Sequence, residues 1–267
     1  MDEYPIKVGN MLFTMVDPVR GHEKAYNRWY ERDHFYAGCM IGPWLFAGRR
    51  WVAPRSLKDL RFPTSSPVAK PLDAGSYLSI YWRLRGKEQE ASAWSQPNVR
   101  WLYENGRGFD QRTHVHTSNY DFLSVVYADP DGVPLELALD HAYQGLGVVV
   151  VEPADGVDRD GLRHWLEADA APALLGADGV DNLASFGLSD RPAHVAGFEP
   201  PMALGTDGGD AARLVQLSFL AVEPTRCWDA FREYGRTVDA GGIGRVSFAA
   251  AFIPTVVGTD TYTDQLW

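Results

Sequence analysis

The sequence predicts an α+β protein in which one order of strands and helices occurs twice. Segments that alternate apolar and polar residues, typical of strands, are interspersed with segments that carry an apolar stripe at helical spacing. The stretches "RWYERDHF" and "HWLEADAA" mark the same point in both halves, because Trp29 and Trp165, like Asp33 and Asp169, lie 136 residues apart. A long loop rich in proline follows the second strand of each half. These observations indicate two copies of a β-α-β-β-α-β unit.

The elements of the first half follow from local patterns. Alternation predicts strands at 8–15, 44–53 and 76–84, with further strand material in "THVHTS" and "YDFLSVVYA". The apolar stripes predict helices at about 22–38 and 88–105, the second kinked or restarted at Pro97. A loop rich in proline and serine is expected at 54–74.

The second half repeats this order. The predicted strands are 147–153, 180–188, 213–222 and 245–253, the helices are 158–175 and 224–235, and a loop is expected at 189–210. The order is that of the split βαβ, ferredoxin-like unit. We therefore expect two ferredoxin-like repeats, 1–142 carrying a functional site and 143–267 acting mainly as scaffold.

Composition narrows the class of protein. The chain has 267 residues, of which 45% are hydrophobic and 12% aromatic, enough for a packed core. A formal net charge of -10 without a basic stripe argues against nucleic-acid binding. No run approaches a membrane span and the acidic start is unlike a signal peptide, so a cytoplasmic protein is expected. Cys39 and Cys227 lack metal-ligand spacing, and reduced thiols are expected for both.

The first predicted helix ends in an unusual way. Its apolar stripe of Tyr26, Trp29 and Tyr30 runs into Asp33 and His34, where an aliphatic residue would serve a core better. A carboxylate and an imidazole at the end of a buried stripe indicate a site.

A sequence motif around this helix is similar to one that is typical of a known family. Its residues are Tyr26-Asn27-Arg28-Trp29-Tyr30, then Asp33-His34, then Gly48-Arg49-Arg50-Trp51. They resemble "FNxWYxxxHxP…GxxxxRRY", typical of the EthD-type branch of the dimeric α+β barrel superfamily. The likeness covers the first 53 residues well and the remainder only through element order. Tyr36 stands where the family has a proline.

The resemblance implies two four-stranded sheets that face each other across a barrel, with ligands between them. Here one chain would supply both sheets, and a homodimer of such chains is possible. Strand alternation then separates two sets of side chains. The apolar set, expected to pack on the helices, is Met11, Phe13, Met15, Leu78, Ile80, Trp82 and Leu84. The polar set, expected to face the barrel and its ligand, is Asn10, Leu12, Thr14, Tyr77, Ser79, Tyr81 and Arg83.

His34 is the predicted general acid or base. It follows Tyr30 by four residues, so the two share a helix face. In the last turn of the predicted helix the dipole favours imidazolium while burial opposes it, and a pKa near neutrality is expected. Asp33 is expected to cap the helix, pair with an arginine or hold the turn. The matching position of the second half is Ala170, which favours one site per chain.

Two further patterns add candidate substrate-binding residues. His114 and His116 form an H-x-H pair, which alternation places on one strand face. No further ligand follows at a recognisable spacing, so we expect a substrate contact from one of them and not a metal site. Of Arg49 and Arg50 only one can face inward. Arg50 is favoured because it shares a strand face with Trp44, and its partner is expected to be Asp33 or a carboxylate on the ligand.

The predicted function is that of a cofactor-independent enzyme acting on a small aromatic or polyketide-like molecule. The resemblance implies lyase, isomerase or cyclase chemistry by proton transfer, with His34 as base and with Tyr81 and Tyr30 orienting oxygen atoms. Two alternatives stay open, a cofactor-free monooxygenase and a non-catalytic ligand carrier. "GADGVDN" at 176–182 resembles the G-x-x-D-G text of dye-decolourising haem peroxidases only faintly, and a turn accounts for it, so no cofactor is expected.

Overall fold

The alternating segments of the sequence assemble into one sheet. The computed structural model describes residues 5–189, 199–206 and 209–267, so the predicted loop 189–210 lies partly outside the described residues. In these ranges the strands are β1 (Val8–Pro18), β2 (Leu45–Val52), β3 (Tyr77–Leu84), β4 (Arg112–Tyr127), β5 (Gly145–Pro153), β6 (Asn182–Leu188), β7 (Leu214–Leu220) and β8 (Gly244–Pro254). They pair antiparallel and close into a barrel in the order β1-β3-β2-β8-β5-β7-β6-β4. The predicted α+β class is confirmed.

Helices cover the outside of the barrel. They are α1 (Glu23–Trp29), α2 (Arg55–Lys58), α3 (Glu88–Glu104), α4 (Arg159–Trp165), α5 (Ala171–Leu175) and α6 (Trp228–Ala240), with short 3₁₀ turns at Leu135–Leu137 and Pro224–Arg226. Helix α3 contains Pro97 in its interior. None of the helices in the described ranges is long and apolar enough to cross a membrane.

Two helical segments are π-helices, which the sequence patterns did not predict. The first π-helix (Tyr30–Met40) continues α1, and the second (Leu166–Ala170) lies between α4 and α5. Because hydrogen bonds in a π-helix join residues five apart, such residues lie above one another. The ring of His34 accordingly stacks on that of Trp29, with centroids 4.5 Å apart. π-Helical segments are rare in proteins, but those that occur are often located at functional sites.

The apolar side of β1 and β3 faces the interior of the barrel, and the expectation that it packs on the helices is wrong. The Trp82 ring stacks on that of Phe186 of β6 across the interior, with centroids 5.5 Å apart. Its Nε1 donates to the carbonyl oxygen of Leu135 at 3.2 Å. The polar side instead faces α1 and the first π-helix, where the Tyr77 ring lies 5.3 Å from that of Tyr26.

The reason for this reversal is the closure of the sheet. Strand β4 pairs with β6 over most of the length of β6, and β2 meets β8 through the pairs Trp51–Pro254 and Val52–Ile253. A closed sheet excludes water from its interior, so the most apolar side of each strand gains most by facing it. The side toward the helices is the only remaining place for polar side chains, and any ligand space must lie there.

The residues after β8 fix α1 on the barrel. The amide of Asn27 donates to the carbonyl oxygen of Thr259 at 2.8 Å, and Arg28 forms an ion pair with Asp260. Leu266 is fully buried in a cluster with Tyr26 and Tyr77. The start of the first π-helix therefore has a fixed position relative to the sheet.

Replacing Trp82 by alanine should strongly destabilise the fold, because the interior has no solvent to fill the space of the lost indole. We expect the free energy of unfolding to fall by about 3–5 kcal/mol, measured by urea denaturation. Trp101→Ala is the matched control, since Trp101 is 51% exposed on α3, and should change it by less than about 0.5 kcal/mol. Equal effects of the two substitutions would contradict the assignment of Trp82 to the interior.

Candidate active site

A cavity of about 160 Å³ lies between the first-half sheet and its helices. Its walls come from β1, β3 and β4 on one side and from the first π-helix and α3 on the other. The side chains on which the chemistry depends are Tyr30, His34, Tyr81, Arg83, Arg112 and His114. Pro200, Pro201, Met202 and Leu204, from the segment between β6 and β7, complete the lining. The predicted position between two sheets is wrong, because that space is filled by core side chains.

His34 is held by its neighbours on the π-helix. Its ring stacks on Trp29 and meets the ring of Tyr30 edge-on at 5.2 Å. A Cβ atom on Gly38 would lie 2.9 Å from its Cε1, so only glycine leaves room for the ring. Within the described part of the chain neither ring nitrogen has a hydrogen-bond partner. The imidazole is therefore positioned by packing and can bond to a bound molecule.

Burial lowers the pKa of His34 to about 3, helped by the positive charges of Arg112 and Arg50. The expected value near neutrality is wrong for a structural reason. The helix does not end at His34 but continues to Met40, so no terminal carbonyl groups stabilise an imidazolium. In the empty cavity His34 is a neutral proton acceptor at physiological pH.

Tyr30 and Tyr81 form a buried hydroxyl pair in the cavity wall. Their oxygen atoms are 2.9 Å apart. Burial raises the pKa of both phenols above the ordinary value, so both keep their protons. One O–H is used within the pair, and Ser79 and Cys39 are further hydrogen-bonding neighbours of Tyr30 and Tyr81. The thiol of Cys39 also lines the cavity, and burial raises its pKa to about 11.

Two arginines give the cavity a positive charge. Arg83 is 3% exposed and donates to Asn119 Oδ1 at 2.8 Å, while its Nε has no partner. Arg112 is 7% exposed and donates to the carbonyl oxygen of Phe109 at 2.7 Å. Neither is in an ion pair within the described residues, and no Asp or Glu stands among the cavity-lining residues of those ranges.

His114 and His116 lie on opposite sides of β4, so the prediction of a shared face is wrong. The register shifts between Met15, which pairs with His116, and Val16, which pairs with His114. Such a bulge inserts one residue and reverses the alternation. As a result His114 lies on the cavity side of β4. His116 faces the barrel interior, where the centroid of its ring is 5.9 Å from that of Phe13.

Both histidines of β4 are already hydrogen-bonded. His114 Nδ1 lies 2.7 Å from Thr117 Oγ1, and its Nε2 accepts from Arg112 at 3.4 Å. Burial, with the charge of Arg112, lowers the pKa of His114 to about 3. His116 bonds to Tyr120 at 2.6 Å and to Thr206 at 2.7 Å. His114 thus positions groups in the cavity wall, and His116 lies outside the cavity.

Arg50 and Trp44 do not line the cavity. Arg50 is buried and its Nη1 donates to Glu31 at 3.1 Å and to Asn27 at 2.9 Å, which joins β2 to the helix. Its partner is Glu31 and not Asp33, which pairs on the surface with Arg107, one of the outcomes expected for Asp33. Trp44 is 40% exposed in the turn before β2.

Asn10 and Tyr77 share the helix-facing side with the cavity residues but lie beyond the ends of the cavity. Asn10 is buried near Asp121, with its amide nitrogen 3.5 Å from the carboxylate. Tyr77 packs on Tyr26 near α1. Sequence reasoning missed Arg112, although it shares the strand face of His114 in "RTH".

Comparisons with known proteins identify the fold. No known family and no curated protein matches the sequence. An anthrone oxidase-like protein is 10% identical with a TM-score of 0.53, over 95% of this chain and 95% of that one. A dye-decolorizing peroxidase from Bacteroides thetaiotaomicron VPI-5482 is 10% identical with a TM-score of 0.52, over 100% of this chain and 99% of that one. The chain therefore shares its overall fold with these two proteins.

These neighbours correct the predicted reaction. Their names describe an oxidase-like protein and a peroxidase, enzymes of oxidative chemistry. The expectation of a cofactor-independent lyase, isomerase or cyclase is wrong, and the alternative of a monooxygenase agrees better with them. The prediction that the protein is an enzyme agrees with the same comparisons.

The low pKa of His34 can be measured directly. In the ligand-free protein the ring should remain neutral down to about pH 4, since burial and nearby cations oppose its protonation. NMR titration of histidine-labelled protein gives this value, with His34→Gln assigning the signal and His164→Gln serving as the variant of an exposed histidine. A His34 signal that titrates near 6.5, the ordinary value for imidazole, would contradict the described surroundings.

Proposed function

We propose that the protein is an oxygen-dependent enzyme that oxidises a small phenolic molecule in this cavity. The observation that carries the proposal is a cavity in which a neutral imidazole, a tyrosine hydroxyl pair and two arginines without carboxylate partners in the described ranges meet. The volume supports a substrate of one or two fused rings, because a cavity of about 150 Å³ holds benzene. The oxidase-like neighbour adds support from the fold.

The similarity to a peroxidase raises the question of whether the cavity could bind haem. The residues around the cavity do not fit this group. Both ring nitrogens of His114 are occupied by Thr117 and Arg112. The cavity itself, at about 160 Å³, has the size of a small aromatic molecule and not of a macrocycle.

A phenol with an open para position reacts with oxygen without any further reductant. Transfer of the phenol proton to His34 gives a phenolate, which passes one electron to O₂. The two radicals combine at the para carbon to form a peroxide. Loss of water, with cleavage of the O–O bond, then leaves a quinone. One molecule each of phenol and O₂ gives one quinone and one water, and His34 returns its proton in the last step.

Each cavity residue has a role in this sequence. His34 accepts the phenol proton, and the Tyr30–Tyr81 pair donates a hydrogen bond to the phenolate oxygen. Arg83 and Arg112 stabilise negative charge on the phenolate and on the reduced oxygen. Exclusion of bulk water by the segment 199–206 strengthens these interactions.

We propose further that the chain is a tandem duplication of an EthD-type unit, with 1–142 carrying the site and 143–267 as scaffold. The two π-helices support this, since each begins directly after a tryptophan, Trp29 or Trp165. In the second half the buried Tyr234 donates to Gln216 at 2.6 Å, on the helix-facing side of β7. The space between sheet and helix is thus filled by the Tyr234 side chain in the second half, whereas in the first half it is a cavity.

Oxygen consumption tests the proposed function. With 1-naphthol as probe, we expect consumption of one O₂ per quinone formed and incorporation of one ¹⁸O atom from ¹⁸O₂, seen by mass spectrometry. His34→Gln should lower kcat/KM by about 10²–10⁴-fold, the usual contribution of a general base, whereas His164→Gln on exposed α4 should not. Product formation without oxygen, or a haem Soret band on reconstitution that restores activity, would contradict the proposal.

The pH dependence of kcat/KM provides a second test. This constant reports groups of the free enzyme, and His34 must be neutral to accept a proton. Since its pKa is lowered to about 3, kcat/KM should stay level from pH 7 to pH 5. A base with the ordinary pKa near 6.5 would instead lose activity about tenfold per pH unit below that value, and that result would contradict a catalytic base with the lowered pKa of His34.

A further inference from the structure

The buried arginines of the described residues differ in the groups that accept hydrogen bonds from their guanidinium nitrogens. Arg50 pairs with Glu31, and Arg213 donates to Glu152 at 2.7 Å. Arg61 has no carboxylate at hydrogen-bond distance but donates to three backbone carbonyl oxygens, those of Leu72, Ala74 and Gly75. Each of these guanidinium groups is held by the protein itself.

Arg112 and Arg83, the two arginines that line the cavity, have no carboxylate partner among the described residues, and Arg83 is the more deeply buried of the two. It is as buried as Arg50, yet its one described acceptor is the neutral amide oxygen of Asn119. Its Nε has no partner among the described residues, as is also true of the Nε atoms of Arg50 and Arg61, but of these three side chains only that of Arg83 lines the cavity. A buried guanidinium carries five N–H donors and a full positive charge, which is costly unless an anion pairs with it.

The acidic residues nearest to Arg83 are already engaged elsewhere. Asp121 accepts from the Ser189 hydroxyl at 3.1 Å, and Glu88 accepts from the backbone nitrogen of Gly86 at 3.0 Å. Neither lines the cavity. On the cavity side the second charge is another cation, Arg112, so the described residues that line the cavity carry two positive charges and no carboxylate.

We propose that the cavity binds its aromatic substrate as a carboxylate, with the carboxylate group paired to Arg83. A planar carboxylate matches the donor fork of a guanidinium. The cavity then holds the ring, and Arg112 on β4 adds to the attraction. The choice of a hydroxylated aromatic ring rests on the proposed function, so the substrate class is that of hydroxy-aromatic carboxylates.

The test compares two ligands that differ only in charge. Binding of 2-naphthoate and of 2-naphthamide is measured by isothermal titration calorimetry at pH 7, without turnover. We expect the wild-type protein to bind the carboxylate at least about tenfold more tightly, at the lower end for a charged hydrogen-bonded pair. Equal affinity, or tighter binding of the amide, would overturn the proposal whatever the variants do.

Variants assign the preference to Arg83. Arg83→Gln should abolish the preference while leaving the affinity for the amide within about threefold, and Arg83→Lys should retain part of it because the charge remains. The control is Arg107→Gln, since Arg107 is an exposed arginine paired with Asp33. Thermal unfolding of each variant checks folding. A preference that survives in folded Arg83→Gln would overturn the assignment.

A second readout is independent of these variants. A carboxylate in the cavity that offsets the charge of Arg112, which lowers the pKa of His34, should raise that pKa, seen by NMR, whereas the neutral amide should not. An unchanged His34 signal with saturating 2-naphthoate would overturn the placement of the carboxylate in the cavity.

These experiments separate the carboxylate site from the oxidation. If 2-naphthoate binds through Arg83 but 1-hydroxy-2-naphthoate consumes no oxygen, the site stands and the oxidation is wrong. If 1-naphthol is oxidised but the carboxylate has no advantage in binding, the oxidation stands and the carboxylate site is wrong.

Discussion

The stacking of His34 on Trp29 is the interaction on which the site depends. In an α-helix residues five apart point in different directions, and only the π-helical spacing from Tyr30 to Met40 brings these two rings together at 4.5 Å. Gly38, one turn further, leaves the space that the imidazole fills. A widened turn is less stable than an ordinary one, and here it is held by the residues after β8 and by Arg50, which bonds Glu31 and Asn27. The rest of the cavity is arranged around a base that the backbone itself has positioned.

Closure of the barrel determines which side of the sheet is available for chemistry. The alternation in β1 and β3 separates an apolar set from a polar set correctly, but it does not tell which set faces the helices. That choice depends on whether the two halves of the sheet join, and it is decided by pairs distant in sequence, such as Val52 with Ile253. Because the interior is closed and filled, the polar set must face the helices. The cavity therefore belongs to one half of the chain and is covered by the segment 199–206 of the other.

The difference between local patterns and pairing of strands distant in sequence also explains how much of the fold and of the site the sequence predicts. Local patterns predict the strands and the positions of the helices, because alternation and apolar stripes act over a few residues. Tyr30, His34, Tyr81, Arg83 and His114 were placed in a site from these patterns, and they do meet at one cavity. His114 and His116 lie on opposite faces of β4 because of a single bulge in that strand. The alternation of apolar and polar residues in the sequence does not reveal this bulge. Arg50 was misplaced because its partner, Glu31, lies on a different element. Met202 lies in a segment without any periodic pattern.

The electrostatics of the cavity connect its base to its ligand. Arg112 and burial lower the pKa of His34 to about 3, which keeps the imidazole neutral but makes it a weak base in the empty protein. A carboxylate in the cavity opposes the effect of Arg112, because nearby negative charge raises the pKa of an imidazole. Binding of a carboxylate would thus strengthen the base at the moment when the phenol arrives. A neutral phenol of the same size would fill the cavity without this gain. The positive charge that weakens the free base therefore becomes a means of selecting the substrate, since an anionic ligand makes that base stronger than a neutral one does.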